Sequence, residues 1–159
     1  MARQTFFSFH YERDVWRAGQ VRNSWVTKDR EAAGFRDKAK WEEVKKKGED
    51  AIHKWIDDQL DGASVTVVLI GTETSTRDYV DYEITQSHKK GKGMLGIYVH
   101  NMKDADSKTD TKGANPLDKW TFKDSNGNKI TYPTYDWVVN DGRSNMGTWI
   151  EDAATKAGR

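Results

Sequence analysis

Seven consecutive residues, Ser64 to Ile70 (SVTVVLI), constrain the fold more than any other part of the chain. They are β-branched, almost continuously apolar and closed by Gly71, the pattern of a strand buried on both faces. Such a strand needs a sheet covered by helices on both sides, which points to parallel β-α-β units with right-handed crossovers. Gly93 to His100 (GMLGIYVH), Thr5 to Phe9 and Tyr135 to Asn140 (YDWVVN) read as three further strands. Trp25 to Asp37 is left to supply a weak second strand and the loop after it.

The covering helices are read from apolar spacing. Trp41, Val44, Ile52, Trp55, Ile56 and Leu60 recur at helical intervals, predicting one helix over Lys40 to Leu60 that Gly48 weakens without ending. Ser75 to Lys90 is a second helix, with Ser75 as its cap, Asp78 favourably placed against its dipole and Gly91 closing it. A last helix covers Asn145 to Lys156. Asp104 to Lys129, rich in Asp, Lys, Thr, Gly and Asn, reads as an irregular surface excursion. The expectation is one α/β domain over residues 1–159, with a five-stranded, mainly parallel, doubly wound sheet and helices on both faces.

Charged residues make up 32% of the chain and aliphatic ones are sparse, a mix that favours disorder only when net charge is large. Here the formal charge is +1, and seven Trp, six Tyr and five Phe supply apolar faces for a core. The absence of Cys excludes disulfides, thiolate metal sites, iron–sulfur clusters and cysteine nucleophiles. The balance of charge argues against nucleic-acid binding. The Phe6–Phe9 run is too short for a signal-peptide core, and no run is long enough to span a membrane. A soluble, cytoplasmic protein is expected.

Ligands of open parallel sheets bind at the carboxyl ends of the strands. The first strand delivers Ser8, Phe9, His10 and Tyr11 there, and the third delivers Gly71 to Thr76, a hydroxyl-rich turn onto a helix. That turn could hold a phosphate, although N-capping by Ser75 is the simpler reading. There is no GxxxxGK[ST], no GxGxxG after a strand, no acidic pair of a phospho-receiver and no HxxxH, so no metal site is expected. Glu83 lies three positions after Val80 and four after Tyr79, at the border of the buried helix face. By spacing alone it would be an ordinary solvated residue.

Six blocks carry a resemblance: Phe6 to Tyr11 (FFSFHY), Val21 to Lys28 (VRNSWVTK), Trp41 to Glu43 (WEE), Ser64 to Gly71 (SVTVVLIG), Tyr79 to Ile84 (YVDYEI) and Lys112 to Asp118 (KGANPLD). In this order the chain resembles the TIR-like family, and within it the Thoeris antiphage-defence branch. The resemblance implies a flavodoxin-like fold acting on NAD+ as substrate, with no separate cofactor. The implied enzyme is an NAD+ nucleosidase and ADP-ribosyl cyclase. It would release nicotinamide and form a cyclic ADP-ribose isomer that diffuses to an effector protein, with self-association on activation.

Within the family the catalytic Glu follows an aromatic residue by four positions. Here those positions are Glu83 and Tyr79, with Tyr standing where Trp is usual. The same match implies substrate contacts from Phe6, Phe7, Ser8, His10 and Asn23. A non-enzymatic TIR module that works by self-association is the alternative the fold allows. A flavin binder is disfavoured, because the loop after the first strand lacks a Ser/Thr/Gly phosphate cradle.

Overall fold

The computed structural model describes residues 4–26, 31–33 and 38–159. In chain order the first elements are β1 (Gln4–Phe9), α1 (Tyr11–Val26), β2 (Glu31–Ala33), α2 (Lys38–Lys45), α3 (Glu49–Asp61) and β3 (Val65–Ile70). They are followed by α4 (Asp78–Lys89), β4 (Gly93–Tyr98), β5 (Phe122–Lys123), β6 (Lys129–Ile130), β7 (Thr134–Asp136) and α5 (Gly142–Lys156). Five strands form one sheet in the order β2-β1-β3-β4-β7, every neighbouring pair parallel, as the sequence led one to expect. The short pair β5–β6 is a separate antiparallel ribbon.

Alternation along the strands sorts the core into two faces. Phe7, Phe9, Val65, Val67, Leu69, Leu95 and Ile97 pack against Ala18, Val21 and Trp25 of α1 and Met146, Trp149 and Ile150 of α5. On the other face Phe6 meets Ile56 and Leu60 of α3, while Val68, Ile70 and Met94 meet Val80 and Ile84 of α4. All six residues of β3 are buried, which is why its sequence is so uniformly apolar.

Several element boundaries differ from the sequence reading. The helix expected over Lys40 to Leu60 is two helices, α2 and α3, because Gly48 between them has φ +99°, outside any helix. The helix expected from Ser75 starts at Asp78. Before it Thr74–Thr76 make a 3-10 turn, and Arg77 occupies the cap position without a side-chain cap bond. The competing bonds are local: the Thr74 hydroxyl accepts the Gly71 N–H at 2.8 Å, and the Thr76 hydroxyl donates to the Glu73 carbonyl at 2.7 Å.

The strand expected over Tyr135 to Asn140 is β7, three residues long. Asp136 ends it by accepting the N–H groups of Val138 and Val139 at 2.9 and 3.0 Å. β4 stops at Tyr98, short of the expected His100. Trp25 belongs to α1 and not to the second strand. β2 does fall inside the window proposed for it, whereas residues 27–30 and 34–37 of that window lie outside the described residues. The excursion from Asp104 is more ordered than expected, since Leu117 and Phe122 are buried against the α4 face of the sheet. No helix of the described residues is long and apolar enough to cross a membrane.

Candidate active site

β1 carries Ser8 into the middle of the sheet beside Val68, with its side chain on the α4 face. Glu83, in the second turn of α4, meets it there. The Ser8 hydroxyl donates to Glu83 Oε1 at 2.7 Å, and the two residues are 0% and 2% exposed. Burial pushes the Glu83 carboxyl up to about 8, against the smaller downward pull of the Ser8 hydrogen bond. The expected border residue is therefore a fully enclosed acid, and it is protonated at neutral pH in this arrangement.

Tyr79 lies one helical turn earlier on α4, nearer the strand ends. Its hydroxyl oxygen accepts the Tyr11 N–H at 2.8 Å, joining the first turn of α4 to the first turn of α1. Burial raises its phenol well above the ordinary range. His10, between β1 and α1, is 3% exposed, and its Nδ1 accepts the Arg13 N–H at 3.3 Å. Burial, and after it the Arg77 guanidinium, lowers its imidazole below the usual value, so it is neutral at pH 7.

A charged cluster borders this group. Arg13 bonds Asp110 through Nε and Nη2, both at 3.0 Å, and reaches Glu73 through Nη1 at 2.5 Å. It ties the segment after β4 to the loop after β3. Beneath it Asp14 is 1% exposed, with Arg17 Nη1 3.5 Å from Oδ1, an ion pair without hydrogen-bond geometry. Burial raises Asp14 to about 6, with Arg17 opposing. The Asp14 carboxylate fills the place where a Cβ on residue 71 would project, so any larger residue at Gly71 would have to displace it.

The candidate residues are only partly brought together. Ser8 and Glu83 touch, and Tyr79 and His10 flank the same end of the sheet. Phe6 and Phe7 are 0% and 1% exposed, locked into the cores on opposite faces. Asn23 is exposed near the end of α1, ~18 Å along the helix axis from Tyr11, which separates it from the group. The hydroxyl turn after β3 is occupied by its own contacts: Thr72 donates to the Thr111 carbonyl, and the Ser75 carbonyl accepts from Lys119. Arg77 and Asp14 escaped the sequence reading. Arg77 was marked only by its place just ahead of α4, and Asp14 by nothing except its spacing on an unrecognised helix.

Comparison with known proteins bears on this arrangement. Residues 6–104 match the family model of the Thoeris protein ThsB, TIR-like domain. A Bacillus cereus (strain MSX-D12) protein named "Putative cyclic ADP-D-ribose synthase ThsB1" is 34% identical over 191 aligned positions, covering 94% of this chain and 100% of the relative. The matched stretch runs from β1 to just beyond β4 and contains Ser8, His10, Tyr79 and Glu83.

Proposed function

The chain belongs to the ThsB TIR-like family of Thoeris proteins, and on that premise we propose that it cleaves NAD+ at the nicotinamide–ribose bond and closes the product into a cyclic ADP-ribose isomer. The observation that carries the reading is the buried Ser8–Glu83 pair, on the helix turn that follows Tyr79. The name of the Bacillus cereus relative supports the same chemistry.

Loss of nicotinamide leaves an oxocarbenium-like ribose, which a carboxylate beside it stabilises. Nicotinamide departs as a neutral molecule, so no strong acid is needed. Glu83 is suited to respond to its substrate: the positive charge of the nicotinamide ring, brought close, lowers the raised carboxyl and favours the ionised form. Ser8 holds Oε1 in one orientation. Because Glu83 is 2% exposed, ribose reaches it only when the packing over it opens, and a site closed again over the substrate excludes water from the reacting carbon. A hydroxyl of the bound molecule then bonds to the ribosyl carbon in place of nicotinamide and gives its proton to the Glu83 carboxylate, which yields a ring instead of linear ADP-ribose. The cyclic product would carry the signal to an effector protein, and assembly of copies would complete the site on activation.

Mass spectrometry of NAD+ incubated with concentrated protein tests the reading. The expected products are free nicotinamide and a cyclic isomer, with turnover reduced at least ~100-fold in Glu83→Gln. Turnover by Glu83→Gln equal to that of the parent chain would remove Glu83 from the chemistry. The closure of the Ser8–Glu83 pair favours one second reading, an assembly module in which Glu83 is a structural acid. Unchanged NAD+ at all protein concentrations, with self-association intact, would establish that one instead.

A further inference from the structure

A groove lies at the amino end of β4, past the last turn of the helix that carries Glu83. It encloses about 840 Å³ between the end of α4, the start of β4, the β5–β6 ribbon and the end of α5. Its lining is basic: Lys89, Lys92, Lys123 and Lys156, with His88 and Tyr132 beside them. None of these four lysines has a side-chain hydrogen bond or ion pair among the described residues. The carboxylate of the lining, Asp124, is engaged locally, accepting the N–H groups of Asn126 and Asn128 at 2.9 Å each.

Lys92 is the decisive member. It is 6% exposed, and the Asp61 carboxylate that acts on it is itself held by Lys90 at 2.8 Å. A side chain so enclosed, beside like charges and with its nearest carboxylate already paired to Lys90, is costly unless something supplies a counter-charge. Lys89 and Lys156 stand in the last turns of α4 and α5, where a cation also complements the helix dipole. Lys92 is on no helix and Lys123 is on the ribbon, so that account does not cover them. Much of the remaining wall is apolar or aromatic. Tyr132 bonds His88 Nδ1 at 2.5 Å and packs edge-on to Phe122, with Ile130 and Pro133 alongside.

We propose that this groove is a second ligand site, taking a phosphorylated small molecule of nucleotide size, its phosphates on the lysines and its ring against Tyr132. The volume falls within the range of small-molecule sites, roughly 300–1,000 Å³. The site is separate from the Ser8–Glu83 pair: neither residue lines it, and α4 puts ~8 Å of rise between Glu83 and His88. Its occupancy does not depend on the reading of Glu83 as catalytic.

Titration calorimetry of the full chain with inorganic pyrophosphate, then with ADP, tests the site. Glu83→Gln is expected to bind both as the parent chain does. Lys123→Glu, on the exposed ribbon, and Lys92→Met should each weaken binding at least tenfold, while Lys46→Glu, on a distant exposed turn, should leave it unchanged. ADP should bind more tightly than pyrophosphate, since only ADP offers a ring to Tyr132. Four results would overturn the proposal. They are no heat with either probe at millimolar concentration, equal losses in Lys46→Glu and Lys123→Glu, loss in Glu83→Gln with Lys123→Glu unaffected, and unaltered binding in Lys123→Glu.

Discussion

At Glu83 the burial that isolates the side chain also makes folding sensitive to pH. The carboxyl titrates near 8 in the folded chain, against an ordinary value of 4.5 once unfolded. Below that ordinary value both states hold the proton. Between the two values the folded chain keeps a proton that the unfolded chain has lost, so stability falls as pH rises, by up to about 1.4 kcal/mol per pH unit, and levels off above the folded value. Asp14 acts with the same sign lower down, between 3.8 and about 6. Urea midpoints measured from pH 5 to 8.5 should therefore decline, and Glu83→Gln should flatten the part between pH 6 and 8. An unchanged slope in that variant would mean that Glu83 is not the titrating group. Glu83 is legible as a candidate only through its position after Tyr79 and the family resemblance. Nothing in the spacing foretold full burial, because that depends on Ser8, 75 positions away, arriving on the same face.

Among the elements, the break between α2 and α3 is the clearest case of one residue deciding a boundary. Apolar periodicity runs through Gly48 and reads as one helix, but φ +99° belongs to a turn that side chains rarely adopt. Gly48→Ala meets no atom within 4 Å, so its effect is backbone strain alone, about 1–3 kcal/mol of lost stability by chemical denaturation. Gly19, inside α1 with equally open surroundings, should respond with the opposite sign, gaining roughly 0.5–1 kcal/mol on substitution by Ala. If Gly48→Ala were neutral, the two helices could join and the turn would owe its existence to other residues. α1 itself was hidden because its buried side includes Asp14, Arg17 and Arg22, which interrupt the apolar stripe of Ala18, Val21 and Trp25. α4 was legible as a helix but not in its start, since the hydroxyls of the preceding turn bond their own backbone instead of capping it.

For the molecule as a whole, two arginines of α1 fasten the segment that follows β4. Arg17, 4% exposed, donates to the carbonyls of Met102 and Lys108 at 2.9 and 3.0 Å, while Arg13 grips Asp110 from a position 37% exposed. Solvent screens the outer contact, so Arg13→Ala should cost less than about 1 kcal/mol of global stability while speeding amide exchange in residues 104–113. Arg17→Ala removes the inner one and leaves Asp14 buried without its cation, for a loss of about 3–5 kcal/mol. Equal effects from the two variants would mean that burial does not distinguish the two contacts. The same architecture sets Tyr79 and the basic groove at opposite ends of α4, with Glu83 between them.

The sequence alone determined the parallel, helix-covered sheet, because strands buried on both faces must be apolar throughout and no other arrangement hides Val65 to Ile70. It also determined the family, through ordered blocks reaching from β1 to beyond β4. Tertiary structure decided which candidates meet. Ser8 and Glu83 come together because strand alternation and helix phase coincide, whereas Phe6 and Phe7 are divided between two cores by that same alternation. Charge state, too, was decided in three dimensions: a carboxyl's affinity for its proton depends on the solvent it loses, and local sequence does not record that loss.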